Sequence, residues 1–176
     1  LRVHPTLIPE RHMLANVDGV MNAVLVRGDA VGPMLLSGAG AGAEPTASSV
    51  VADLVDVVRA LTVDPDNRVP HLAFQPDALS DAPLGELAMV ESAFYLRMQA
   101  LDQPGVLADI TRILADLRIS IEAIQQQEPA PDATAVPVVI LTQRVTEAAM
   151  EEAVSRIAAL PDIQGPITRF RMETFA

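Results

Sequence analysis

Between Phe94 and Leu101 the chain alternates. Phe94, Leu96, Met98 and Ala100 occupy every second position, with Tyr95, Arg97 and Gln99 between them. A period of two marks a strand with one buried face, here over 93–101. The period then changes. Val106, Leu107, Ile110, Ile113, Leu114 and Leu117 recur at helical spacing, which predicts a helix over 104–117. Ile119, Ile121 and Ala123 alternate with Ser120, Glu122 and Ile124 in a second strand that runs to about Gln126. Pro129 to Ala133 reads as a loop. Val136 to Gln143 is apolar on both faces, so a third strand there belongs in the middle of a sheet or under a cover. Thr146 caps a second helix that turns Met150, Ala153, Val154, Ile157 and Leu160 inward. Pro161 and Gly165 frame the exit, and Ile167 to Thr174 is the last strand, with Phe170 and Met172 on one face. The order βαββαβ over 92–175 predicts a ferredoxin-like sandwich of four antiparallel strands and two helices.

The first 62 residues pattern differently. Arg2 to Ile8 is a short extended segment whose pairing Pro5 and Pro9 limit, and His12 to Val17 suits one helical turn. Val20 to Val26 and Val31 to Leu36 are apolar runs around Gly28-Asp29, the pattern of a β-hairpin. A glycine-rich loop, Ser37 to Thr46, leads into a helix on which Val50, Val51, Leu54, Val55, Val58 and Leu61 share one stripe. Pro45 sits near its start and Thr46 is an alternative cap. Between the two regions, 63–91 carries Pro65, Pro70, Pro76 and Pro83 among Asp64, Asp66, Asp77 and Asp81, the composition of a linker. Within it Val69 to Phe74 suits a short extended piece. Fold class is therefore α+β, a ferredoxin-like domain preceded by a hairpin, glycine loop and helix.

Composition narrows the partners. Half of the 176 residues are hydrophobic but only 3% are aromatic, so the core is aliphatic. The net charge is −11 and all 12 basic residues are arginine, which argues against nucleic acid or an anionic membrane as partner. With no cysteine, disulfides and thiolate metal sites are excluded. His4, His12 and His71 fall in no ligand spacing, so no metal site is expected. No apolar run reaches the length of a membrane span and no signal peptide precedes the first strand, so the chain is placed in the cytoplasm. It starts at Leu1, and a fragment of a longer protein is expected.

Two stretches carry candidate chemistry. The turn Asp102-Gln103-Pro104-Gly105-Val106-Leu107 joins a strand to a helix. Asp102 can cap backbone N–H groups, Pro104 suits a first helical turn, and Gly105 lets a ligand or second backbone come close. A helix start attracts a carboxylate, so the turn is a candidate amino-acid site; the alternative is a well-capped βα turn. The glycine loop falls short of a dinucleotide fingerprint. Its glycines run G-x-G-x-G, with Ala43 in the sixth place, and a proline-rich stretch rather than a second parallel strand follows. Either it packs closely against another backbone, or it lies beside a cofactor held by other residues.

The 102–107 turn within its βαββαβ frame resembles that of an ACT domain, a small regulatory module that binds amino acids. The first region is similar to the end of the catalytic part of homoserine dehydrogenase. Val3-His4-Pro5-Thr6-Leu7-Ile8-Pro9, Val20-Met21-Asn22-Ala23-Val24 and Gly38-Ala39-Gly40-Ala41-Gly42 running on to Pro45-Thr46-Ala47-Ser48 carry that likeness. The two resemblances together imply residues 1–62 as the end of a catalytic domain, 63–91 as linker and 92–175 as an ACT domain. They imply an NAD(P)-dependent oxidoreductase interconverting aspartate semialdehyde and homoserine, with an upstream nucleotide-binding domain. The family's catalytic lysine has no counterpart here, so this chain alone is expected to be inactive, to hold no catalytic residue and to bind no cofactor alone. Gly42, with Gly40 and Thr46 beside it, is implied to approach the cofactor. His12 is implied near the nicotinamide, although Met13 stands where proline is usual. Asp102, Gln103, Gly105, Val106, Leu107 and Ser120 are the implied effector residues. Threonine is the favoured effector, and a homodimer through the ACT domain is expected. A stand-alone amino-acid sensor and a dimerisation module that binds nothing are the alternatives.

Overall fold

The computed structural model describes residues 3–62, 76–81, 83–126 and 134–175. In chain order these form β1 (Thr6–Leu7), β2 (Met21–Gly28), β3 (Gly32–Ala39), α1 (Ala43–Thr62), β4 (Glu91–Leu101) and α2 (Val106–Asp116). Then come β5 (Ile121–Gln126), β6 (Ala135–Thr142), β7 (Val145–Thr146), α3 (Glu147–Ala158) and β8 (Ile163–Met172). The chain divides into two compact units, residues 1–9 with 84–176, and residues 10–83. The short extended piece expected at Val69–Phe74 and the loop at Pro129–Ala133 lie outside the described residues.

The larger unit is built on a sheet ordered β1-β8-β4-β6-β5, with β7 pairing the start of β4. Strands β8, β4, β6 and β5 pair antiparallel, and α2 and α3 supply the helices of the ferredoxin-like arrangement. The period of two along β4 becomes a buried face of Ser92, Phe94, Leu96, Met98 and Ala100. Onto this face α2 lays Val106, Ile110, Ile113 and Leu114, and α3 lays Met150, Ala153 and Ile157. Each large aliphatic side chain so buried contributes about 1.5–3 kcal/mol. As its two apolar faces require, β6 runs centrally between β4 and β5. The buried Thr142 hydroxyl accepts the Phe94 N–H at 3.1 Å, so the polar atom carries no desolvation penalty.

Among the described residues of this unit one charged side chain is buried. Glu147, at the first turn of α3, is 5% exposed and accepts Arg171 Nε at 3.0 Å on one oxygen and Arg171 Nη2 on the other. Arg169 Nη2 lies 3.3 Å from the same carboxylate, and its guanidinium sits 5.9 Å over the Phe94 ring. Thr146 caps α3 as the sequence predicts, its hydroxyl accepting Ala149 N–H at 3.4 Å.

Several boundaries move. Gly105 takes φ +103° and is the cap of α2, which begins at Val106 rather than at residue 104. The left-handed turn leaves Asp102 four residues before the helix and Pro104 outside it, so Asp102 is not the cap. At the exit of α3, β8 starts at Ile163 rather than Ile167, because Ile163 already pairs with Ala100. Of the extended segment expected over Arg2–Ile8, only Thr6 and Leu7 form a strand. They pair parallel with Arg171 and Met172 of β8, which places residues 1–9 in the larger unit.

The smaller unit contains the expected hairpin, with register from Met21↔Ala39 to Gly28↔Gly32. His12 caps a 3-10 turn, Met13–Asn16. Pro45 and Thr46 lie inside α1, which starts at Ala43. Thr46 is therefore no cap; its hydroxyl and its N–H both donate to the Gly42 carbonyl, at 2.7 and 3.2 Å. Among the described residues of this unit none is buried.

Candidate functional site

Where β4 ends, the chain folds over a cavity of about 180 Å³. Its wall is the continuous stretch Ala100 to Leu107, with Gln126, Val136 and Val138 opposite. Local bonds hold the wall in shape. Gln103 N–H donates to the Leu101 carbonyl at 2.9 Å, Val106 N–H to Gln103 at 3.4 Å, and Asp109 N–H to Gly105 at 2.9 Å. A Cβ on Gly105 would meet nothing within 4 Å. Glycine is needed here for its φ of +103°, not for crowding.

The chemistry of the lining is divided. Ala100, Val136 and Val138 are each about 1% exposed and form an apolar floor. At the rim stands the Asp102 carboxylate, whose Oδ1 accepts Gln126 Nε2 at 3.0 Å. The first N–H groups of α2 lack intrahelical acceptors by helix geometry and carry the positive end of its dipole. Beside the about 300–1,000 Å³ of drug-sized pockets, this cavity suits a small molecule. A cation-binding carboxylate and an anion-binding helix start a few residues apart match a zwitterion.

Five of the six effector candidates, Asp102, Gln103, Gly105, Val106 and Leu107, line this one cavity. Ser120 is not brought there within the chain. It follows the eleven-residue α2, about 16 Å long at ~1.5 Å per residue, and precedes the end of β5 where Ile121 faces Thr142. The Ser120 carbonyl accepts Gln143 N–H at 2.9 Å. The opposite end of β5 supplies Gln126, which sequence reasoning passed over. Its side chain reaches Asp102 across 24 residues of sequence, a pairing for which the sequence offers no local signal.

The four cofactor candidates lie in the smaller unit and make local bonds. His12 Nδ1 accepts Leu14 N–H at 3.2 Å, and Asn16 Nδ2 donates to the carbonyls of His12 at 3.2 Å and Glu10 at 3.4 Å. Gly42, at φ +113°, supplies the carbonyl on which Thr46 closes. A Cβ at Gly40 would fall 2.0 Å from Asn22 Nδ2, the end of an exposed side chain that lies across the glycine.

A larger hollow of about 420 Å³ lies on the outer face of the sheet, among Tyr95, Arg97, Gln99, Val139 and Thr168. It is the polar-edged reverse of the core strands. Among the described residues no helix is long and apolar enough to cross a membrane.

Comparison with known proteins agrees with both halves of the chain. Residues 1–55 match the family model for homoserine dehydrogenase, and residues 94–159 match that for the ACT domain. A homoserine dehydrogenase from Pseudomonas aeruginosa is 59% identical over 173 residues, covering 98% of this chain and 40% of that protein. One from Neisseria gonorrhoeae is 50% identical, covering 99% and 40%. The crystal structure of a homoserine dehydrogenase from Thiobacillus denitrificans superposes with a TM-score of 0.86 at 57% identity, covering 99% of this chain and 39% of that one. The chain thus spans about two fifths of the length of these relatives. By sequence and by fold this chain is similar to the C-terminal part of homoserine dehydrogenases, and residues 94–159 match an ACT domain.

Proposed function

We propose that this chain is the regulatory end of an NAD(P)-dependent homoserine dehydrogenase, an oxidoreductase interconverting aspartate semialdehyde and homoserine, and that it senses an amino acid at the cavity of the 102–107 turn. The observation that carries the reading is that cavity, with a carboxylate and a helix start on one rim and an apolar floor. The ligand's carboxylate is taken by the first N–H groups of α2. Its ammonium pairs with Asp102, which Gln126 holds from the far side, and its side chain rests toward Val136 and Val138. Threonine is favoured because the implied pathway ends in it.

Other features support the wider reading. Residues 10–62 present an uncovered apolar stripe on α1, including Val51, Leu54, Val55 and Val58, which suits docking on the nucleotide-binding part of the enzyme. Gly40, Gly42, Thr46 and His12 are the residues of this piece assigned to the cofactor's neighbourhood. Hydride transfer needs a bound cofactor and a base for the alcohol proton, and the family's lysine is absent from the chain, so the chain alone is assigned no turnover. The half-buried outer face of the sheet, with Tyr95, Val139, Leu141 and Phe170, supports a homodimer through the ACT domain.

Calorimetry tests the central assignment. Threonine at millimolar concentration releases or absorbs heat with the chain. Asp102→Ala weakens binding by about tenfold or more, the loss of one hydrogen bond to a charged group. Silence with threonine, lysine and methionine alike refutes the site; binding of lysine or methionine in place of threonine keeps the site and discards the ligand.

A further inference from the structure

Strand β1 lies in the larger unit, shortly before the first residue of the smaller one. The homoserine dehydrogenase family model takes in residues 1–55, yet Thr6 and Leu7 are a fifth strand on the sheet of the unit that holds the ACT domain. Their pairing partners are Arg171 and Met172, and Glu173 N–H donates to the Leu7 carbonyl at 3.0 Å. Three residues beyond Leu7 the chain enters the Glu10–Asn16 turn capped by His12. One strand of the sheet therefore continues directly into the segment assigned to the catalytic side.

The other end of β8 is tied to the cavity. Leu101 N–H donates to the Asp162 carbonyl at 2.9 Å, and Ala100 pairs with Ile163; both Ala100 and Leu101 line the cavity. Between its two ends β8 is irregular. From Gln99↔Gln164 to Arg97↔Thr168 the register moves four steps along β8 against two along β4. Gly165, at φ +70°, and Pro166 lie in this bulge. A bulge leaves residues unpaired and interrupts the ladder locally, so the two ends of β8 are not joined by one continuous register. Strand β1 itself is two residues long, paired on one side, with Leu7 41% exposed. Such an edge opens at far lower free energy than the core strands.

We propose that β1 is a detachable strap, whose pairing with β8 depends on occupancy of the cavity and through which that occupancy reaches the His12 turn. The proposal rests on the reading of the cavity as an amino-acid site. Coupling is reciprocal, so loosening β1 also alters the cavity rim when no ligand is present. That second consequence does not depend on which ligand binds.

Amide exchange and chemical shifts measured by NMR on the whole chain test both directions. With saturating threonine, Gly105 and Val106 resonances move and the exchange rate of the Glu173 amide changes about fivefold or more, the low end of allosteric coupling. The Phe94 amide, held by Thr142 inside the core, does not change. Without ligand, Leu7→Pro, and the milder Leu7→Gly, shift the amides of Leu101 and Ile163 at the cavity rim. Movement at Gly105 and Val106 with no change at Glu173 overturns the strap and leaves the amino-acid site standing. No movement at Gly105 and Val106 refutes the amino-acid site for threonine, and the Leu7 variants then decide: unshifted Leu101 and Ile163 overturn the strap as well.

Discussion

The two helices that follow a turn-forming glycine, α1 after Gly42 and α2 after Gly105, both carry apolar stripes and meet opposite fates. Helix α2 buries Val106, Ile110, Ile113 and Leu114 against the sheet. Helix α1 is nearly twice as long, yet Val50, Val51, Leu54, Val55, Val58 and Leu61 are all at least 42% exposed. The hairpin beside it in sequence is no better covered, with Met21, Val24, Val26, Val31, Met34 and Leu36 on its surface. An amphipathic pattern reports that a face is apolar; it does not report which part of the protein covers it. The ACT unit closes its own core, whereas none of the described residues of the smaller unit is buried.

The largest consequence concerns folding. Residues 84–176 expressed alone are expected to unfold cooperatively on heating, and residues 10–83 alone to show no cooperative transition by circular dichroism, since a lone hairpin and helix bury too little. A cooperative transition in the smaller piece would erase the contrast. Next comes Glu147→Ala, which strands two guanidinium groups beside a carboxylate site that is 5% exposed and is expected to destabilise the ACT unit by about 3–5 kcal/mol in denaturant unfolding.

Matched truncations sharpen the comparison further. Leu114→Ala, at a fully buried position, is expected to cost about 2–5 kcal/mol, while Leu54→Ala on α1, at a position 60% exposed, stays within about 0.5 kcal/mol. Equal costs would mean that α1 is covered within this chain. The turn gives an effect between these two. Gly105→Ala places a Cβ at φ +103°, a left-handed position that costs about 1–2 kcal/mol, and its methyl group projects into open space.

What the sequence made legible follows from periodicity. The alternation of Phe94, Leu96, Met98 and Ala100, the helical spacing from Val106 to Leu114 and the doubly apolar run from Val136 specify the core strand, its helix and a central strand. These signals are strong because one buried face constrains many positions at once. Strand β1 was seen only as an extended segment, since two residues carry no period and its parallel partner lies at the other end of the chain. Five of the cavity's residues were legible because they are contiguous. Gln126 was hidden because its bond to Asp102 spans two strand ends; Ser120, expected at the pocket from this or a partner chain, is carried by a helix of eleven residues to the opposite end of the sheet of its own chain. At Gly40 the sequence shows only a glycine in a loop, and the Asn22 side chain beside it comes from the start of the hairpin.

Thermal unfolding of the chain with and without threonine bears most directly on the claim that the ACT unit is a self-contained amino-acid receptor. At threonine about tenfold above its Kd, binding to the folded state adds about 1.4 kcal/mol. For a domain of this size that raises the midpoint by roughly 6 °C or more, and Asp102→Ala removes most of the rise. An unmoved midpoint with threonine, lysine and methionine, or an equal rise in Asp102→Ala, would contradict the account.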